Sequence, residues 1–178
     1  MNTESNNPLQ PGIMSNSLIQ ALIDNYRQNH LNVINTALGI EDAYSIWFDL
    51  PKLKNFIAKI EEEAAKVNPD TSAEDLGIRF YYASYPKGEN WDIMASHPVP
   101  QEYAEKHTLV LIPTIKKISE NGSAYDSDFN TLQADEENKV FGLSAAQKAA
   151  YRSSDDDETV GENSGTLIPP APPMGTSY

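Results

Sequence analysis

Gly77-Ile78-Arg79-Phe80-Tyr81-Tyr82-Ala83-Ser84-Tyr85, closed by Pro86-Lys87-Gly88, carries the plainest strand pattern of the 178-residue chain. Side chains along a strand point alternately to opposite faces, and β-branched and aromatic residues favour that geometry. Ile78, Phe80, Tyr82 and Ser84 therefore share one face, and Arg79, Tyr81, Ala83 and Tyr85 the other. Upstream, Tyr44-Ser45-Ile46-Trp47-Phe48 alternates in the same way over a shorter run. Downstream, Thr108-Leu109-Val110-Leu111-Ile112-Pro113-Thr114 is apolar on both faces. A strand of that kind is normally covered on both sides, so part of the sheet should lie between two layers.

Helical periodicity surrounds these runs. Ser17 with Gln20 offers a capping box, and Leu18, Leu22 and Tyr26, beside Ile19 and Ile23, begin an apolar stripe continued by Val33, Ile34 and Ala37. Gly39 is the expected stop. A second helix is expected from Asp49 as its cap, with Pro51 tolerated in the first turn because that N–H has no helical partner. Its apolar face reads Leu53, Ile57, Ile60, Ala64 and Val67, and Asn68-Pro69-Asp70 ends it. Residues 87–106 show little periodicity, and residues 119–137 read as polar loop. Val140 to Leu143 fits a short edge strand, and Ser144 with Gln147 fits the start of a brief helix through Ala150. The expected architecture is α+β: a mixed or antiparallel sheet of three or four strands with two main helices. A polar leader (1–16) precedes a single domain (17–152), and an acidic, then Pro-rich tail (153–178) follows it.

Composition narrows the function. Thirteen basic against 26 acidic residues give a formal net charge of −13, which repels nucleic acid and anionic membranes. The chain has no cysteine, which removes disulfides, thiolate catalysis and cysteine-ligated metals. The N-terminus lacks the basic and apolar regions of a secretory signal, so a cytoplasmic location is expected. Asn121-Gly122-Ser123 matches a glycosylation sequon but, without an export signal, reads as a turn. Phosphate-binding Gly-rich loops, the Gly-x-Ser-x-Gly elbow and His-Glu-x-x-His are all absent. His30, His97 and His107 lie far apart in sequence; His30, near the apolar face of the first helix, reads as a core-edge histidine.

Two constellations bear on binding. Asp126, Asp128, Asn130 and Glu137 stand at positions 1, 3, 5 and 12 of a calcium loop, but Thr131 occupies the position where the turn requires glycine, and neither flank reads as a helix. Chance is the better reading; no metal or other cofactor is expected. On the sheet, Trp47, Arg79, Tyr81 and Tyr85 can share a face able to stack on a planar ligand and pair with a carboxylate or phosphate. The competing reading, which the doubly apolar strand favours, covers that face and pairs Arg79 with an acidic residue. In the tail, Leu167 and Ile168 precede Pro169 and Pro170, and the stretch from Leu167 to Pro173 is expected to dock in an apolar groove of its own domain or of a second copy, with residues 153–164 bridging the distance.

Ser45-Ile46-Trp47-Phe48 with Leu50 and Leu53, Gly77 to Tyr81, Tyr85-Pro86, Thr108-Leu109-Val110, Ile112-Pro113-Thr114 and Gly165-Thr166-Leu167-Ile168-Pro169-Pro170 resemble a family of small proteins of the Bacteroidetes lineage. The resemblance implies a bacterial, cytoplasmic protein with a recurring architecture, and it lends no catalytic residue. The reading that follows is a non-enzymatic domain that binds another protein or its own copies. Ligand binding or catalysis on the aromatic and arginine face is the alternative, and a calcium-dependent module the second.

Overall fold

The computed structural model describes residues 11–129 and 159–170. Its first helix, α1 (Asn16–Tyr26), is capped by Ser15, whose hydroxyl accepts from the Leu18 N–H. The cap is therefore two residues earlier than the expected Ser17. A π-helical turn, Arg27–Leu31, joins α1 to α2 (Asn32–Leu38), which stops at Gly39 as expected, in the left-handed conformation (φ 67°) that glycine adopts without a Cβ penalty. The extra residue of the π turn rotates the apolar stripe. Leu31 is buried, whereas Leu18, Leu22, Val33 and Leu38 remain exposed.

Strand β1 (Ser45–Trp47) leads into α3 (Leu50–Val67). Asp49 caps α3 by accepting from the Lys52 N–H, with Pro51 in its first turn, as expected. The buried face of α3, however, is Phe56, Ile60 and Ala64 with Leu53 packed beside them; Ile57 and Val67 face solvent. Both stripes fit a 3.6-residue period, and the larger Phe56 side chain takes the core.

β2 (Leu76–Ser84) and β3 (His107–Ile118) pair antiparallel from Leu76 opposite Ile115 to Ser84 opposite His107. β4 (Ala124–Asp128) then folds back on β3 through a turn in which Gly122 has φ 81°. Part of the stretch expected as loop is thus a strand. Ala-Tyr-Asp-Ser-Asp lacks the apolar alternation that marks strands, and tertiary pairing supplies what propensity does not. The turn at Asn121-Gly122 is where the sequence predicts one: Gly122 N–H donates to the Ser119 carbonyl and Ser119 N–H to the Ser123 carbonyl.

The fold is α+β, but with two small antiparallel sheets in place of one. The larger has the order β2-β3-β4, and the smaller pairs β1 with β5 (Thr166–Ile168). The returning chain 159–168 joins them. Leu111 and Glu162 exchange both backbone hydrogen bonds on the β4 side of β3, and Leu167 pairs with Ile46.

Two cores result. One holds Phe56, Ile60, Leu111 and Val160; the other holds Ala43, Tyr85, Tyr103 and Leu167, flanked by Trp91, Met94 and Val99. The aperiodic excursion therefore supplies core through two short 3-10 segments, Gly88–Met94 and Gln101–Tyr103. Among the described residues no helix is long and apolar enough to cross a membrane. The expected strand at 140–143 and helix at 144–150 lie outside the described residues.

Candidate functional site

Arg79 and Tyr81 point to the same face of β2, and Asp128 of β4 reaches that face from two strands away. The Arg79 Nη1 and the Tyr81 hydroxyl both donate to the Asp128 carboxylate, and Arg79 Nη2 donates to the Asp126 carbonyl at 2.8 Å. The guanidinium is held in its charged form, above its ordinary pKa, by its hydrogen bonding with Tyr81 and by the Asp128 charge. Arg79 is thus paired with an acidic residue of its own sheet. Asp126, Ser127 and Asp128 belong to a strand, with the Asp128 carboxylate committed to Arg79 and Tyr81; Asn130 and Glu137 lie outside the described residues. Among the described residues no cluster of three His, Asp or Glu could hold a metal ion.

Trp47 and Tyr85 do not join this group. Trp47 sits opposite Thr166 in the smaller sheet and is exposed. The expected common face placed both strands in one sheet, whereas β1 pairs with β5 in a sheet separate from β2. Tyr85 lies just beyond β2, in the core against Tyr103 (ring centroids 5.8 Å apart) and Trp91, and its hydroxyl donates to the Asn163 carbonyl at 3.1 Å. Burial pushes its phenol up. Two grooves open beside α3. One, of about 520 Å³, is lined by Lys52, Asn55, Phe56 and Val160; the other borders Ile57, Ile60 and Gly77. Neither is lined by Arg79.

The described part of the tail, through Pro170, docks in its own chain, and residues 171–173 of the expected docking stretch lie outside the described residues. Leu167 is completely buried, its N–H donating to the Tyr103 hydroxyl at 3.2 Å, while Ile168, Pro169 and Pro170 are half-buried. The preceding stretch is more than a bridge. Val160 enters the α3 core, and Lys52 Nζ donates to the Ser164 carbonyl (2.9 Å) and hydroxyl (3.1 Å). At Gly165 an added Cβ would stand 2.8 Å from the Phe48 ring, so the chain passes there only because the residue is glycine.

Among the histidines, His30 stacks on Tyr26 at the π turn (5.9 Å), and His107 bonds through its Nδ1 to Asp42. The buried Asp42 carboxylate also accepts from the His107 N–H (2.7 Å) and the Ala43 N–H (2.8 Å), tying the β1 approach to the start of β3. Nothing in the sequence singled out Asp42 or Tyr103, and Asp128 stood out only as a calcium-loop position. Each acts through a partner remote in sequence, a signal that local periodicity does not carry.

Among the described residues one sheet edge has no strand partner. Tyr85 N–H donates to the Lys106 carbonyl, and Leu111 turns its backbone groups to Glu162, away from its β2 neighbour Phe80. In an antiparallel ladder these facts set the parity: odd-numbered residues of β2 bond to β3, and even-numbered ones point outward. The N–H and C=O of Ile78, Phe80, Tyr82 and Ser84 therefore line the free edge of the sheet, with no strand beside them among the described residues. Their flanking side chains are apolar and wet: Tyr82 is 92% exposed, Phe80 54% and Tyr81 41%. Comparison with protein-family models, with curated proteins and with solved structures finds no match.

Proposed function

We propose that this chain is a non-enzymatic interaction domain that recognises an extended strand of a protein partner by adding it to the free edge of β2. The observation that carries the reading is the edge itself. Four successive outward sets of backbone donors and acceptors, flanked by exposed aromatics, form the template that strand addition uses, and folded proteins normally blunt such an edge with charge, proline or a covering element. Here the only charge between Gly77 and Tyr85 is Arg79, whose guanidinium is turned to Asp128. Of the earlier alternatives, ligand binding on the Trp47, Arg79, Tyr81 and Tyr85 face gains no support from a set that is split between two sheets and a core.

The test is Tyr82→Pro. Proline at an outward position removes an N–H that faces water and leaves the β2–β3 bonds in place, so the fold should survive. Immobilised wild-type protein should retain a partner from an extract of the source cells that Tyr82→Pro, with its melting temperature within a few degrees of wild type, does not. Equal retention by both proteins refutes the reading.

A further inference from the structure

We infer that the strand that fits this edge is β2 of a second copy, paired antiparallel about Tyr81. The inference rests on the edge being an interaction surface and adds the partner and the register. Outward residues must meet outward residues if their backbone groups are to bond, so an even-numbered position of one copy must face an even-numbered position of the other. A two-fold axis at Tyr81 satisfies this for the whole edge: Ile78 faces Ser84 and Phe80 faces Tyr82, and the same pairs recur on the far side of the axis. Each outward N–H then meets an outward C=O. A two-fold axis at Phe80 would bring Leu76 into the ladder, but the Leu76 N–H is already spent on the Ala73 carbonyl.

Side chains agree with that register. On one face Phe80 of each copy stands opposite Tyr82 of the other, an aromatic cross-strand pair made twice. On the opposite face Arg79 meets Ala83, so the two guanidinium groups do not oppose each other. The chain carries a net charge of −13, yet no carboxylate lies between Gly77 and Tyr85. β2 is thus a stretch along which two copies approach without setting carboxylate against carboxylate. Repulsion between the remaining acidic surfaces opposes the dimer and is screened by salt, so association strengthens as ionic strength rises. Phe80, Tyr81 and Tyr82 supply on the order of 700 Å² of exposed aromatic surface over two copies, at roughly 200 Å² for a whole ring side chain. That is short of the roughly 1,200 Å² of a stable interface, so the dimer is transient and concentration-dependent.

Because the chain has no cysteine, single thiols can report the register. Under mild oxidation Tyr81→Cys should cross-link to itself, since facing residues at the axis bring their Cα atoms within disulfide reach. Phe80→Cys and Tyr82→Cys should cross-link poorly alone and at least ten-fold faster when mixed, because each faces the other and lies about 7–8 Å from its own copy. Sedimentation of the wild-type protein at concentrations on the order of 100 µM should show a dimer that grows with salt and is absent in Tyr82→Pro. Self-linking of Phe80→Cys as fast as that of Tyr81→Cys overturns the register. A monomer at every concentration overturns the second copy as partner; if Tyr82→Pro still abolishes retention of a different protein, the edge reading stands without it, and if it does not, both fail.

Discussion

Asp128 keeps only 4% of its side chain exposed, whereas Arg79, its partner, keeps 40%. The two ends of this pair are therefore unequal. Arg79→Ala leaves a buried carboxylate with Tyr81 as its remaining side-chain donor, and an uncompensated buried charge is the costly outcome of breaking such a pair. Full burial would imply a loss of about 3–5 kcal/mol. Solvent already reaches the guanidinium, so about 2 kcal/mol is the expected cost in denaturant unfolding. Asp128→Ala removes the buried charge itself and frees Arg79 and Tyr81, both of which can turn to water. It should cost about 1 kcal/mol. Equal losses from the two variants would show that solvent exposure does not govern the pair. The sequence made Arg79 conspicuous as the one charge on the strand. It showed Asp128 only as a calcium-loop position and not as the partner of Arg79, because two strands and a turn had to form before its carboxylate reached Arg79.

At the scale of elements, the legible features were those whose cause is local. The Asp49 cap, Pro51 in the first turn of α3, the Gly39 stop and the Asn121-Gly122 turn depend on backbone chemistry within a few residues, and the structure has each of them. The face of α3 was legible only to within part of a turn, since Ile57 and Phe56 are both apolar neighbours on the same arc. The structure buries Phe56 beside Ile60, Leu111 and Val160 and leaves Ile57 44% exposed. Phe56→Ala should therefore destabilise by about 3–5 kcal/mol, and Ile57→Ala by less than about 1, since little of its surface leaves water on folding. Thermal or denaturant melts of the two variants check this; a larger loss at Ile57 would mean that α3 is turned the other way. β4 was not legible at all. Its pairing with β3 creates the strand, and no alternation in Ala124 to Asp128 announces it.

For the whole molecule, the decisive element is the one that arrives last. Residues 159–168 contribute Val160 to one core and Leu167 to the other, occupy the β3 edge at Leu111, and give β1 its only strand partner among the described residues. The sequence marked Leu167 as an anchor but offered no sign that the chain from Val160 onward is structural, because two apolar residues seven apart, with only Gly, Glu, Asn, Ser and Thr between them, are too few to mark a period. Docking of the segment is set by its contacts. Burying Leu167 and Val160 contributes about 1.5–3 kcal/mol each, to which the backbone bonds to Leu111 and Tyr44 and the Lys52 bonds to Ser164 are added. A chain ending at Glu158 should consequently lose most of its stability or unfold at room temperature, and Leu167→Ala alone should cost about 2–5 kcal/mol. Since the segment binds the folded remainder and not the unfolded chain, a synthetic peptide of residues 159–172 added in excess should restore the melting temperature of the shortened chain in proportion to the logarithm of its concentration. The same peptide carrying Gly165→Val should fail, because the added side chain meets Ile46 and Phe48 where β5 crosses β1. An unchanged melting temperature in the shortened chain would mean that the two cores close without the segment, and rescue by the Gly165→Val peptide would mean that it does not thread between them.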